Sequence, residues 1–211
     1  MNSQRFAEDT AAFIFCGVAC LLFAGCASDS NAPSMPRPGR GINEYREVTS
    51  EAYRAVAATV DSLQALAGNG NIETFDRAFN QLELTSITAR ARAEAIIGRG
   101  QSYFDEWHEQ LARKPSQPLA QANYNRLYSH FTIIRHRSSE VRDEFRPFMA
   151  GLRDFRAQLD HSGTAAKAPA SPDEIGALTA SGTRLLKKLE SVSAALNDAE
   201  AELHAMLNSN S

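Results

Sequence analysis

The sequence predicts an all-α fold, an elongated antiparallel helical bundle or coiled coil of about four helices. Three observations carry that expectation. Apolar residues recur at alternating three- and four-residue spacings over long stretches, β-branched runs are absent, and glycine and proline gather at a few breaks. The frequent residues are Ala, Leu, Arg, Glu and Gln, all compatible with helix. Sheet content should be close to zero.

The first element stands outside the bundle. Ala11 to Gly25 carries no charged side chain and falls short of the roughly 20 apolar residues that span a bilayer as a helix. It reads as the apolar core of a signal peptide over residues 1–25. Leu22-Phe23-Ala24-Gly25-Cys26 resembles a bacterial lipoprotein signal, in which small residues precede a cysteine that is lipidated on sulfur and becomes the mature N-terminus. Cys16 and Cys20 would leave with the leader, so Cys26 would be the one thiol of the mature chain. An exported protein gains from having that thiol capped, and thioether lipidation caps it. Two or more acyl chains hold a protein firmly on a bilayer, so the expected partner is a membrane, reached through the lipid anchor. Ala27 and Ser28 follow the cysteine, which by resemblance to the enterobacterial sorting pattern favours the outer membrane, facing the periplasm.

Residues 26–41 mix Pro, Gly, Ser and Asn without apolar periodicity, and predict a disordered tether with a reach of roughly 20 Å. Residues 42–208 carry the helical pattern. A first helix is expected over Asn43–Ala67, with Tyr45, Val48, Ala52, Val56, Val60, Leu63 and Leu66 on one side. Gly68-Asn69-Gly70-Asn71 should end it and cap the next. The second helix, about Ile72 to Arg113, has a seam through Ile72, Phe75, Phe79, Leu82, Ser86, Ala89, Ala93, Ile96, Gly100, Tyr103 and Trp107. Its middle is narrow, so a partner helix should approach closely there.

Lys114-Pro115-Ser116-Gln117-Pro118 breaks the pattern, because residues before proline avoid the helical region. The third seam runs from Tyr124 through Leu127, Phe131, Ile134, Ser138, Val141, Phe145, Phe148, Leu152, Phe155 and Leu159, and Pro147 within it predicts a kink. A loop is expected over His161–Ala170. Ser171-Pro172-Asp173-Glu174 then supplies an N-cap, a proline at the first helical position and acids for the dipole. The fourth seam is Ile175, Leu178, Gly182, Leu185, Leu189, Val192, Leu196, Ala199, Leu203 and Met206. The third helix is rich in arginine and the second and fourth carry acids, which should pair flank to flank.

Phe104-Asp105-Glu106-Trp107, the Pro/Ser break and Arg146-Pro147-Phe148 together resemble a bacterial family catalogued as domain of unknown function 2959. The resemblance covers about Ile42 to Met206 and implies an exported coiled-coil protein or lipoprotein. After Asp160 a Gly/Ala/Pro-rich loop replaces the family's more continuous helix. The family brings no catalytic residues with it.

Function classes narrow by charge and spacing. A formal net charge of −3, with export, argues against nucleic acid as a partner. Asp105 and His108, flanked by Glu106 and Glu109, have the spacing of one half of a di-iron site, but His130, His136, His161 and His204 supply no second half. No Gly-x-Ser-x-Gly elbow or phosphate loop is present in the sequence. The arginine face of the third helix could take anionic glycan or lipid headgroups, but its interspersed acids favour ion pairing within the bundle. The expectation is therefore a non-enzymatic envelope scaffold or adaptor with no cofactor and no metal, protein partners and possible self-association. The alternative is a helical module that holds an amphipathic helix or an apolar ligand.

Overall fold

Each helix starts and stops where local chemistry satisfies its open backbone groups. The computed structural model describes residues 39–68, 71–162 and 171–209. Within them the order is α1 (Gly39–Ala67), α2 (Ile72–Arg113), α3 (Pro118–Ser162) and α4 (Pro172–Ser209), with no strand among the described residues. Cys26, the leader over 1–25, the tether as far as residue 38 and the loop from 163 to 170 lie outside the described residues. All four helices belong to one unit, Pro36–Ser211.

Asn71 caps α2 as expected, its Oδ1 accepting from the Glu73 amide at 2.8 Å. Lys114 closes the other end by donating its amide to the Leu111 carbonyl at 3.1 Å. Pro118 takes the first position of α3, where its missing amide costs nothing. In α4 the Ser171 carbonyl accepts from the amides of Glu174 and Ile175 at 3.0 and 3.1 Å. Asp173 and Glu174 lie in that first turn, where negative charge complements the dipole.

Two boundaries differ from the expectation. α1 begins at Gly39, so Gly39, Arg40 and Gly41 are helical and not tether. The extra turn has its own support, since Arg40 pairs with Glu44 at 3.0 Å one turn along. α3 runs through His161 to Ser162, residues expected in the loop. Pro147 lies inside α3, as its place in the third seam led one to expect. The carbonyl that Pro147 leaves unbonded belongs to Asp143, an exposed residue whose surroundings let water serve as the donor.

α1 packs closely on α2 and on α4, and α4 on α3, while α2 and α3 approach each other least of the four neighbouring pairs. The result is an up-down-up-down bundle in which consecutive helices are antiparallel. Its main core joins all four helices through Val56, Val60, Leu63, Phe75, Phe79, Leu82, Phe148, Leu152, Phe155, Ile175, Leu185 and Leu189. The fourth seam is buried at every position named from the sequence. Ile72 departs from its seam, because it opens α2 at the end of the bundle and is 48% exposed.

α1 and α2 are the most closely packed pair of helices in the bundle. Ala93, Ile96 and Ile97 border a second cluster of Tyr45, Ile134, Val192, Ala195, Leu196 and Ala199. Tyr45 reaches across the core from α1 and donates its hydroxyl to Ser138 Oγ on α3 at 2.7 Å. Ala93 on α2 is among the side chains packed against the cluster that holds this ring. Burial pushes the Tyr45 phenol up from its ordinary range, an effect partly offset by its bond to Ser138.

Candidate functional site

The residues singled out for chemistry separate into packing and pairing roles. Phe104 and Trp107 are buried, whereas Asp105, Glu106, His108 and Glu109 are exposed beside them. Asp105 accepts from Gln101 Nε2 at 2.8 Å, and Glu109 pairs with Arg113 at 3.2 Å. The His108 ring lies 5.7 Å from that of Tyr124. Among the described residues no three or more His, Cys, Asp or Glu side chains are grouped so that they could hold a metal ion. None of the described helices is long and apolar enough to cross a membrane.

Around Phe104 and Trp107 the structure assembles an aromatic end that the spacing pattern did not announce. α1 has 29 residues and α2 has 42. Because α1 ends at Ala67 and the antiparallel α2 starts at Ile72, α2 runs past Gly39, the first described residue, by about 20 Å at 1.5 Å per residue. Rings from α2 and α3 pack against one another along this stretch. Phe104 packs on Tyr128 at 5.4 Å and on Phe131 at 5.0 Å, while Trp107 meets Tyr124 edge-on at 5.4 Å. Gly100 is part of the fit, since a Cβ there would stand 2.6 Å from the Phe131 ring. Within this end the Tyr103 hydroxyl is buried without a hydrogen-bond partner among the described residues, and desolvation pushes its phenol up to about 12.

The flanks are laced by ion pairs. Arg99 pairs with Glu44, Arg92 with Glu51 at 2.8 Å, and Arg46 with Glu200 at 2.7 Å. On the α3–α4 flank, Arg126 pairs with Glu202 at 3.3 Å and Arg184 with Glu144 at 2.9 Å. Glu140 accepts from both Arg137 and Lys188, bonds that hold its carboxyl below the ordinary range. Opposite-sign flanks were expected from the sequence; that α4 also contributes cations was not.

The α2–α3 edge has a finer pattern. Arg135, Arg142, Arg146 and Arg153 lie along one face of α3 at spacings of seven, four and seven residues. Gln101, Glu94, Arg90 and Glu83 run antiparallel along α2 at the same spacings. The outer positions close: Arg135 donates to Gln101 Oε1 at 2.7 Å and Arg153 pairs with Glu83 at 3.0 Å. The inner ones stay open. Glu94 turns to Arg90 on its own helix at 2.9 Å, and Arg142 bonds Ser139 on its own helix, also at 2.9 Å. Arg146, exposed, has no hydrogen bond or ion pair among the described residues.

The fold and these flanks define the chain as an antiparallel four-helix bundle with one aromatic-packed end. No family model, no curated protein and no solved structure matches it.

Proposed function

We propose that the chain is a non-enzymatic, lipid-anchored scaffold or adaptor of the bacterial cell envelope, held on the periplasmic side of the outer membrane by a lipidated Cys26. The observation that carries the scaffold part is how the polar side chains are spent. Asp105, Glu109, Glu140 and Glu144 are each bound by a neighbouring donor of the bundle, and Trp107 and the rings beside it are packed together. Side chains so engaged stiffen long helices, which suits a spacer or platform. Support for the anchor is the Leu22 to Cys26 segment, with Cys16 and Cys20 confined to the leader. Kinship with the domain of unknown function 2959 family is part of the proposal and rests on Phe104 to Trp107 and Arg146 to Phe148.

Fractionation of the host after Cys26→Ala tests the anchor. The variant should leave the membrane fraction and change its electrophoretic mobility. Unchanged fractionation and mobility would overturn the lipoprotein reading. A second reading is a helical module that holds an amphipathic helix or an apolar ligand; the open middle of the α2–α3 edge favours a helix.

A further inference from the structure

We propose that the middle of the α2–α3 edge, built from Leu84, Ile87, Arg90, Arg142 and Arg146, docks an acidic amphipathic helix of a partner protein. The inference rests on the adaptor reading and names its contact surface. Ile87 lies four residues from Glu83 and seven from Asn80, so it shares the face of α2 that receives the arginines of α3. Yet it is 70% exposed, and Leu84 beside it is 62% exposed. Two large apolar side chains therefore stand open where the other three flanks of the bundle are packed.

Charge selects the occupant. The register set by Arg153–Glu83 and Arg135–Gln101 places Arg146 opposite Arg90 and Arg142 opposite Glu94. Three cations thus meet two carboxylates: Glu94 is already engaged by Arg90 at 2.9 Å, and exposed Asp143 stands 4.0 Å from Arg142, which leaves Arg146 with no ion pair among the described residues. Like charges facing each other across an edge repel, and an anionic partner lying between them relieves the repulsion. The open stretch lies between the Glu83 and Gln101 bonds, a run of about 25 Å at 1.5 Å per residue. That is the length of a helix of four to five turns, laying apolar positions on Leu84 and Ile87 and carboxylates on the arginines.

The probe is a fluorescein-labelled synthetic helix of about 18 residues, with leucines at three- and four-residue spacing and glutamates on both flanks. Its lysine counterpart is the control. The full chain should bind the acidic peptide, more weakly as salt rises, and should ignore the basic one. Arg142→Glu with Arg146→Glu should weaken acidic-peptide binding at least tenfold and bring on binding of the basic peptide. Ile87→Asp should weaken the acidic peptide while helix content stays unchanged. Absence of acidic-peptide binding overturns the proposal, as does binding that ignores these substitutions. Binding of phosphatidylglycerol vesicles through the same arginines, without peptide binding, also overturns it in favour of a lipid surface. Photocrosslinkers at Ile87 and at Lys187 in the host separate the two readings. Crosslinks from Lys187 alone overturn this surface and leave the adaptor reading standing, whereas crosslinks from neither site overturn the adaptor reading itself.

Discussion

The two ends of the bundle are held together by different means. At the hairpin end all four helices contribute, and Phe75, Phe148, Leu152 and Leu185 have no exposed surface. At the other end, past Gly39, the first described residue of α1, the rings of Phe104, Trp107, Tyr124, Tyr128 and Phe131 pack between α2 and α3. Phe104 and Trp107 still reach 7% exposure each. A ring buries more area per residue than an aliphatic side chain, so an aromatic group can substitute for the face of a helix. The difference lies in what surrounds the ring. Phe75 is caged by Phe79 and, edge-on at 5.5 Å, by Phe155, whereas Tyr124, Tyr128 and Phe131 are only half-buried.

The largest effect should come from emptying the caged end. Phe75→Ala removes a ring with no room for collapse, and a loss of about 4–5 kcal/mol is expected in chemical denaturation. Phe104→Ala should cost about 3 kcal/mol, because half-exposed neighbours can close over the space. Equal losses would remove the distinction between the ends. The glycines sharpen it from the opposite direction. A Cβ on Gly182 would collide with Val60 Cγ2 and stand 3.1 Å from the Phe148 ring, and both side chains are buried. Gly182→Ala should therefore lose about 1–2 kcal/mol despite the better helix propensity of alanine. At Gly100 the obstacle is the half-buried Phe131 ring, which can swing outward. Gly100→Ala should leave the midpoint nearly unchanged.

Those contrasts mark how far the sequence could be read. The Gly/Asn turn and the Pro/Ser break gave α2 its observed limits, and apolar spacing gave a fourth seam whose named positions are all buried, because a helix with one buried stripe encodes that stripe directly. Spacing failed where packing crosses between helices. Gly100 and Gly182 stand on their seams as small residues, but only the fold shows which rings and methyls need the room. Phe104 and Leu111 lie beside the Tyr103–Trp107 seam and are buried as well, since the aromatic end packs α2 over a wider arc than a two-helix seam. Thr59 is fully buried because its hydroxyl donates to the Ala55 carbonyl at 2.9 Å, a local bond that hides polarity from any hydropathy pattern. Cys26, the one site residue named from sequence, lies outside the described residues, and its test stays with fractionation. The α2–α3 edge was half legible: the arginines are plain in the sequence, but which of them the bundle leaves open depends on register.

The smallest expected effects compare two tyrosines. Tyr45 donates to Ser138 across the middle of the core, so Tyr45→Phe leaves an acceptor without its donor and should cost about 1 kcal/mol. Tyr103 has a hydroxyl buried without a partner among the described residues, so Tyr103→Phe should be neutral or stabilising by up to about 1 kcal/mol. Opposite signs in the same denaturation assay are the expected result; a loss at Tyr103 would mean that its hydroxyl is bonded in solution. Alkali gives an independent reading of the same atom. Desolvation raises the Tyr103 phenol from 10.0 to about 12 in the folded chain, so the folded state resists its ionisation. The unfolded chain releases that proton first. The contribution is whole below about pH 10 and is lost as pH climbs toward 12, and the wild-type chain should lose stability over that window more steeply than Tyr103→Phe. Parallel alkaline titrations of the two would place the Tyr103 hydroxyl in contact with water.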